Sequence, residues 1–136
     1  MDFIRQIAIY GDSILKGVML DKSQRYFASP NSAAAVINQY LPVSIRNNAR
    51  FGCTIQKGYE QLKSALNKGL DCDIVLLEYG GNDCDYNLEN VSGNPEAEYS
   101  PKTPLALFEQ IFRQMLNDLK EKGIRPLLMT LPPIDG

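Results

Sequence analysis

The unbroken aliphatic run Ile74-Val75-Leu76-Leu77, set between Asp73 and Gly80-Gly81, constrains the fold of this chain more than any other segment. A strand with one face in water alternates apolar and polar residues. A continuous apolar run instead fits a strand covered by helices on both faces, which is the setting of a parallel sheet. Asp73–Tyr79 is therefore expected to be a central strand. Three more segments have strand character. Ile4–Tyr10 breaks sharply at Gly11-Asp12-Ser13, Val43–Asn48 is more polar, and Arg125–Leu131 is stopped by Pro132-Pro133.

Helical patterns separate these strands. Ala33–Tyr40 follows the Pro30-Asn31 turn and ends at Pro42. Ile55–Lys68 carries apolar residues at 55, 59, 62, 65 and 66, with Thr54 as its expected cap and Gly69 at its close. Thr103-Pro104 offers an N-cap and a proline at the first helical position. The helix that follows is apolar at 105, 108, 111, 112, 115, 116 and 119, and it runs to Lys122 before Gly123. Residues 21–32 are polar, and residues 84–102 form a long loop rich in Asn, Glu and Pro.

The order β-α-β-α-β-α-β implies right-handed crossovers and a parallel sheet. The expected fold is a single α/β domain over residues 1–136, three-layer α/β/α and flavodoxin-like, with strand order 2-1-3-4. Ligands in such folds bind at the carboxyl ends of the strands, where the strand order reverses. The loops starting at Gly11, Ala49 and Gly80 are thus expected to meet at one place.

Those loops hold what acyl transfer needs: a hydroxyl on a sharp turn, and donors aimed at a developing oxyanion. Ser13 supplies the hydroxyl just after a strand. Gly52 offers an unobstructed backbone N–H, and Asn82 brings a side-chain amide beside two glycines. Asp12 is expected to brace the turn by hydrogen bonding. Glu78 reads as a satisfied polar residue at a strand end.

Gly11-Asp12-Ser13-Ile14 resembles the first sequence block of the GDSL/SGNH hydrolases, with isoleucine in place of the usual leucine. Asn48-Ala49-Arg50-Phe51-Gly52 resembles the second block, and Gly80-Gly81-Asn82-Asp83 the third. The resemblance runs in order and spacing over essentially the whole chain. It implies hydrolysis of esters or thioesters without a cofactor. Ser13 would be the nucleophile, with an oxyanion hole from the Ser13 N–H, the Gly52 N–H and the Asn82 amide.

The family's last block, Asp-x-x-His, has no counterpart here. The chain contains no histidine, and Asp135 follows the fourth strand directly rather than a fifth. The catalytic Asp and His are therefore expected beyond residue 136, which would make the domain C-terminally incomplete. The exposed fourth strand would then pair edge to edge with another copy or retain a C-terminal fragment. Two alternatives stay open: a catalytically dead module binding acyl or acetylated ligands, and a flavodoxin-like binding domain. Against the second, no strand leads into a G-x-G-x-x-G or Walker loop, and the first loop lacks a receiver's acidic pair.

The net charge of −2 gives no basic field for nucleic acid or an anionic membrane. No apolar run nears the roughly 18 residues of a membrane span. Met1-Asp2-Phe3-Ile4-Arg5 is unlike a secretory signal, so Asn90-Val91-Ser92 is read as a chance sequon and the expected location is cytoplasmic. Cys53, Cys72 and Cys84 lack metal-site spacing. Asp83-x-Asp85-x-Asn87 fails as a calcium loop, with Leu88 where glycine is needed and Asn94 where the bidentate glutamate would stand. No metal or cofactor is expected. Carbohydrate acetyl esters, lipid esters and acyl thioesters all remain open as substrates, and the Cys84–Lys102 loop is expected to choose among them.

Overall fold

The computed structural model describes residues 4–132. Four strands, β1 (Gln6–Gly11), β4 (Ser44–Asn47), β5 (Ile74–Glu78) and β6 (Arg125–Leu128), form one sheet in the order β4-β1-β5-β6. All three pairings are parallel, with Ile9 opposite both Asn47 and Leu76, and Leu76 opposite Leu127. This is the 2-1-3-4 order expected from the sequence.

Side chains alternate across the sheet, so the aliphatic run on β5 serves two cores. On one face Ala8, Tyr10, Val75 and Leu77 pack with Ile55, Leu62 and Leu66 of α3 (Ile55–Asn67) and with Met115 and Leu119 of α5 (Leu105–Glu121). On the other, Ile9 and Leu76 meet Ala34 of α2 (Ala33–Tyr40), together with Leu15, Ile45 and Ala49. Three layers result.

Four short elements lie in segments for which the sequence predicts no regular structure. Ser13–Lys16 forms a single helical turn, α1. Val18–Leu20 (β2) and Tyr26–Ala28 (β3) pair as a small antiparallel hairpin. Leu88–Gly93 (α4) is helical within the 84–102 loop, its start capped by the Asn87 side chain, which accepts from the N–H groups of Glu89 and Asn90.

Both expected helix caps need correction. Thr54 occupies the cap position of α3 but makes no capping bond with its side chain. The cap position of α5 falls on Pro104 rather than Thr103. At α3 the role passes to Asp83, whose carboxylate accepts from the Ile55 N–H at 3.0 and 3.1 Å; it also accepts from the Thr103 hydroxyl at 2.6 Å and so anchors the residue that leads into α5 without capping it. Asp135 lies outside the described residues.

Candidate active site

The loops that follow β1, β4 and β5 lie side by side at the carboxyl end of the sheet. The Arg50 N–H donates to the Gly11 carbonyl at 3.0 Å, tying the second loop to the end of β1. Gly11 is required on the other side of β1, where β5 comes close. A Cβ there would stand 2.8 Å from the Glu78 carbonyl oxygen, a contact that real side chains do not make.

Asp12, only 1% exposed, shapes the first turn. Its Oδ1 accepts from the Ile14 N–H at 2.8 Å and so caps α1, the turn that Ser13 opens. Ser13 is half-buried, while Gly52 is exposed. Gly52 adopts φ of +65°, and a Cβ there would meet nothing within 4 Å. Conformation, not space, selects glycine at that position.

Asn82 joins the three loops. Its side-chain amide donates to Asp12 Oδ2 at 3.0 Å and to the Cys53 carbonyl at 3.4 Å. Asp12 is the residue before Ser13, and Cys53 the residue after Gly52. The amide therefore touches the immediate chain neighbours of both other candidate residues. The bond to Cys53 is long enough to be weak, so one amide hydrogen can turn to a new acceptor at little cost.

Beneath this network lies Glu78, fully buried at the end of β5. Its Oε2 is 3.5 Å from the Asp12 N–H, and among the described residues its Oε1 has no partner. Glu78 is thus not the satisfied strand-end residue expected from the sequence. Burial, and then the hydrogen bond and negative charge of Asp12, push its carboxyl up to about 7. A buried carboxylate with one oxygen unpartnered is costly in such a place, and the protonated form avoids that cost.

The cysteines beside the site differ from each other. Cys53 is buried, and burial raises its thiol pKa. Cys84 is exposed, and it lines a cavity of about 280 Å³ with Tyr79, Thr103, Phe108 and Leu131. Among the described residues no group of three potential metal ligands comes together. No helix of the described residues is long and apolar enough to cross a membrane.

Sequence reasoning pointed to Ser13, Gly52 and Asn82 but missed the part played by Asp83, since an aspartate after Gly-Gly-Asn carries no mark of holding two helix starts. It also missed the hairpin at residues 18–28, whose aromatic residues face a cleft shared with Phe51.

No protein-family model and no curated protein matches this chain. Solved structures do match it. An SGNH-hydrolase family esterase, AlinE4, is 26% identical and aligns over 98% of this chain and 63% of its own, with a TM-score of 0.65. A lipase/acylhydrolase from Enterococcus faecalis is 23% identical over 97% of this chain and 60% of its own, with a TM-score of 0.64. TesA is 23% identical over 95% and 63%, with a TM-score of 0.63. The resemblance seen in the three sequence blocks thus extends to the whole described architecture, and the chain has the SGNH hydrolase fold. It spans about 60–63% of the length of these structures.

Proposed function

We propose that this chain carries the nucleophile and oxyanion-binding half of a serine ester hydrolase acting on small-molecule esters or thioesters. The observation that carries this reading is the Asn82 amide, which bridges Asp12 and Cys53 and so gathers the Ser13, Gly52 and Asn82 loops into one network. In the proposed reaction the Ser13 hydroxyl adds to the ester carbonyl and gives up its proton to a general base. The carbonyl oxygen becomes an oxyanion, stabilised by the N–H groups of Ser13 and Gly52 and by the Asn82 amide. Collapse of the tetrahedral intermediate breaks the bond to the alcohol or thiol, which leaves with the proton. Water then hydrolyses the acyl-serine by the same steps.

The base is assigned to a histidine of the whole protein outside these 136 residues, which contain none, oriented by an aspartate also outside them. Asp12 is not that orienting acid in this reading, because its two oxygens are committed to Ile14 and Asn82.

A fluorophosphonate probe tests the proposal. Ser13 should be labelled in the whole protein, and Ser13→Ala should abolish both labelling and ester hydrolysis. Labelling at another residue, or unchanged turnover in the variant, would overturn the assignment.

A further inference from the structure

Glu78 ends β5 on the face of the sheet that carries Leu76, and no step of the proposed reaction uses it. It is fully buried, as is Asp12, against which it packs. The contact is close. Glu78 Oε2 lies 3.5 Å from the Asp12 N–H, and a Cβ on Gly11 would stand 3.3 Å from the same oxygen. The carboxyl is thus wedged beneath the backbone of the turn that leads into Ser13.

Two carboxyls in contact and out of water need either a cation or a shared proton. No cation is supplied. Among the described residues the ion pairs join Arg25 to Asp21, Lys102 to Asp85 and Arg113 to Glu109, all away from this pair. The neighbouring elements bring Lys16 on α1 and Arg50 in the second loop, but neither makes an ion pair with Glu78 or Asp12. Asp83, in the third loop, has its carboxylate taken up by Ile55 and Thr103. Tyr10, Cys53 and Tyr79 have pKa values raised by burial and stay neutral. The charge that acts most strongly on Glu78 is that of Asp12.

The hydrogen bonds decide which acid keeps the proton. Asp12 accepts at both oxygens, from the Ile14 N–H and from the Asn82 amide, and both bonds favour its charged form. Glu78 Oε1 has no partner among the described residues, so Glu78 is the acid of the pair. Loss of its proton would set a second negative charge against the Asp12 carboxylate that holds Asn82. The same charge would lie beneath the site of the proposed oxyanion and oppose its formation.

We infer that Glu78 is a positioning residue for the oxyanion site: protonated, it lets Asp12 hold the Asn82 amide in place, and ionised, it displaces that carboxylate and switches the site off. This rests on the reading of Asn82 as an oxyanion donor and adds a pH-dependent regulation of that site.

The test follows kcat of the whole protein against pH with a p-nitrophenyl ester. As Glu78 ionises, kcat should fall by roughly 10²-fold, as for the loss of one oxyanion donor, with KM little changed. The proposed base adds a rise with pH, opposite in sign. Glu78→Gln is neutral at every pH, and its amide can donate to Asp12 where the acid does. It should keep the kcat of the parent at low pH and lose the alkaline fall. An alkaline fall that persists in Glu78→Gln would overturn the inference.

A second measurement needs no substitution at Glu78. The Glu78 carboxyl carbon and the Asn82 side-chain amide are followed by NMR over the same pH range, and they should titrate together. An Asn82 amide that stays fixed while Glu78 ionises would overturn the coupling. Fluorophosphonate labelling of Ser13 in the same samples separates this inference from the function on which it rests. Labelling with a fixed Asn82 amide removes the coupling and keeps the hydrolase. Joint titration without labelling keeps the coupling and removes the hydrolase.

Discussion

The Asn82 amide donates to the Asp12 carboxylate at 3.0 Å, across 70 residues of sequence. The bond joins the turn before Ser13 to the loop after β5. It sets the orientation of the one side chain proposed to meet the oxyanion. Asp12 and Asn82 are thus a single device, in which the carboxylate holds the amide that the proposed reaction would use.

Asn82 is the first place to test that device. An oxyanion donor acts mainly in the transition state, so Asn82→Ala should lower kcat by roughly 10²–10³ with little change in KM. Steady-state kinetics on the whole protein with a p-nitrophenyl ester would check this. A rise in KM with kcat preserved would make Asn82 a substrate-binding group instead.

Asp12→Ala should act twice. It removes the cap of α1, which costs about 1 kcal/mol of stability, and it frees the Asn82 amide. Urea denaturation should show the first effect and a lowered kcat the second. Asp12→Asn keeps one acceptor, enough for the Ile14 N–H, but sets its NH2 against the Asn82 amide, so it should recover much of the stability and little of the kcat. Equal stability losses in the two variants would show that the negative charge matters more than the capping bond.

Asp83 should matter for stability rather than chemistry. It is 2% exposed, and its carboxylate serves the Ile55 N–H and the Thr103 hydroxyl. Asp83→Ala leaves both donors buried without an acceptor, at about 1–3 kcal/mol for each orphaned group. Denaturation midpoints should fall accordingly. A midpoint shift no larger than that of a surface substitution would refute the role.

The sheet was legible in the sequence because strand and helix periodicities are strong where both sheet faces are buried. Ile74–Leu77 and the apolar spacing of α3 and α5 are enough to order the layers. The hairpin was not legible, since its strands have three residues each and the stretch between them, Asp21 to Arg25, is polar. Helix α4 escaped for a related reason: at six residues, with no buried side chain, it shows no apolar stripe. The candidate residues were visible as motifs, whereas their bracing was not. Nothing local in Thr54 or Thr103 announces that Asp83 caps α3 and anchors the entry to α5, and nothing in the aliphatic strand marks Glu78 as an acid with an unpartnered oxygen.

That acid makes stability depend on pH with a definite sign. Glu78 titrates at about 7 in the folded protein against 4.5 in its ordinary setting. Below 4.5 both folded and unfolded chains hold the proton, and the contribution is fully present. As pH rises toward 7 the unfolded chain releases its proton first, so stability falls, and the loss levels off above the folded value. Asp73 and Asp85 are shifted down by their hydrogen bonds, so their effects appear only at more acidic pH. The difference between parent and Glu78→Gln stability should therefore change between pH 4.5 and 7 and be flat above about 8. A difference that stays constant across that window would rule out the titration.

The far edge of β6 leads to the last prediction. Among the described residues β6 pairs only with β5. Leu127 and Leu128 point to opposite faces of the sheet, yet they are 40% and 53% exposed, so neither face of this strand is well covered. An apolar strand with an open edge is a template for another strand. The 136-residue polypeptide should therefore self-associate, and its weight-average mass by light scattering should rise with concentration. Leu128→Lys places a charge on that strand and should shift the population toward monomer. Helix α5 offers a rival surface, a groove formed by Leu105, Phe108, Phe112 and Leu116. If Leu105→Lys dissociates the assembly and Leu128→Lys does not, the helix face is the contact. A mass that stays monomeric at every concentration would refute both.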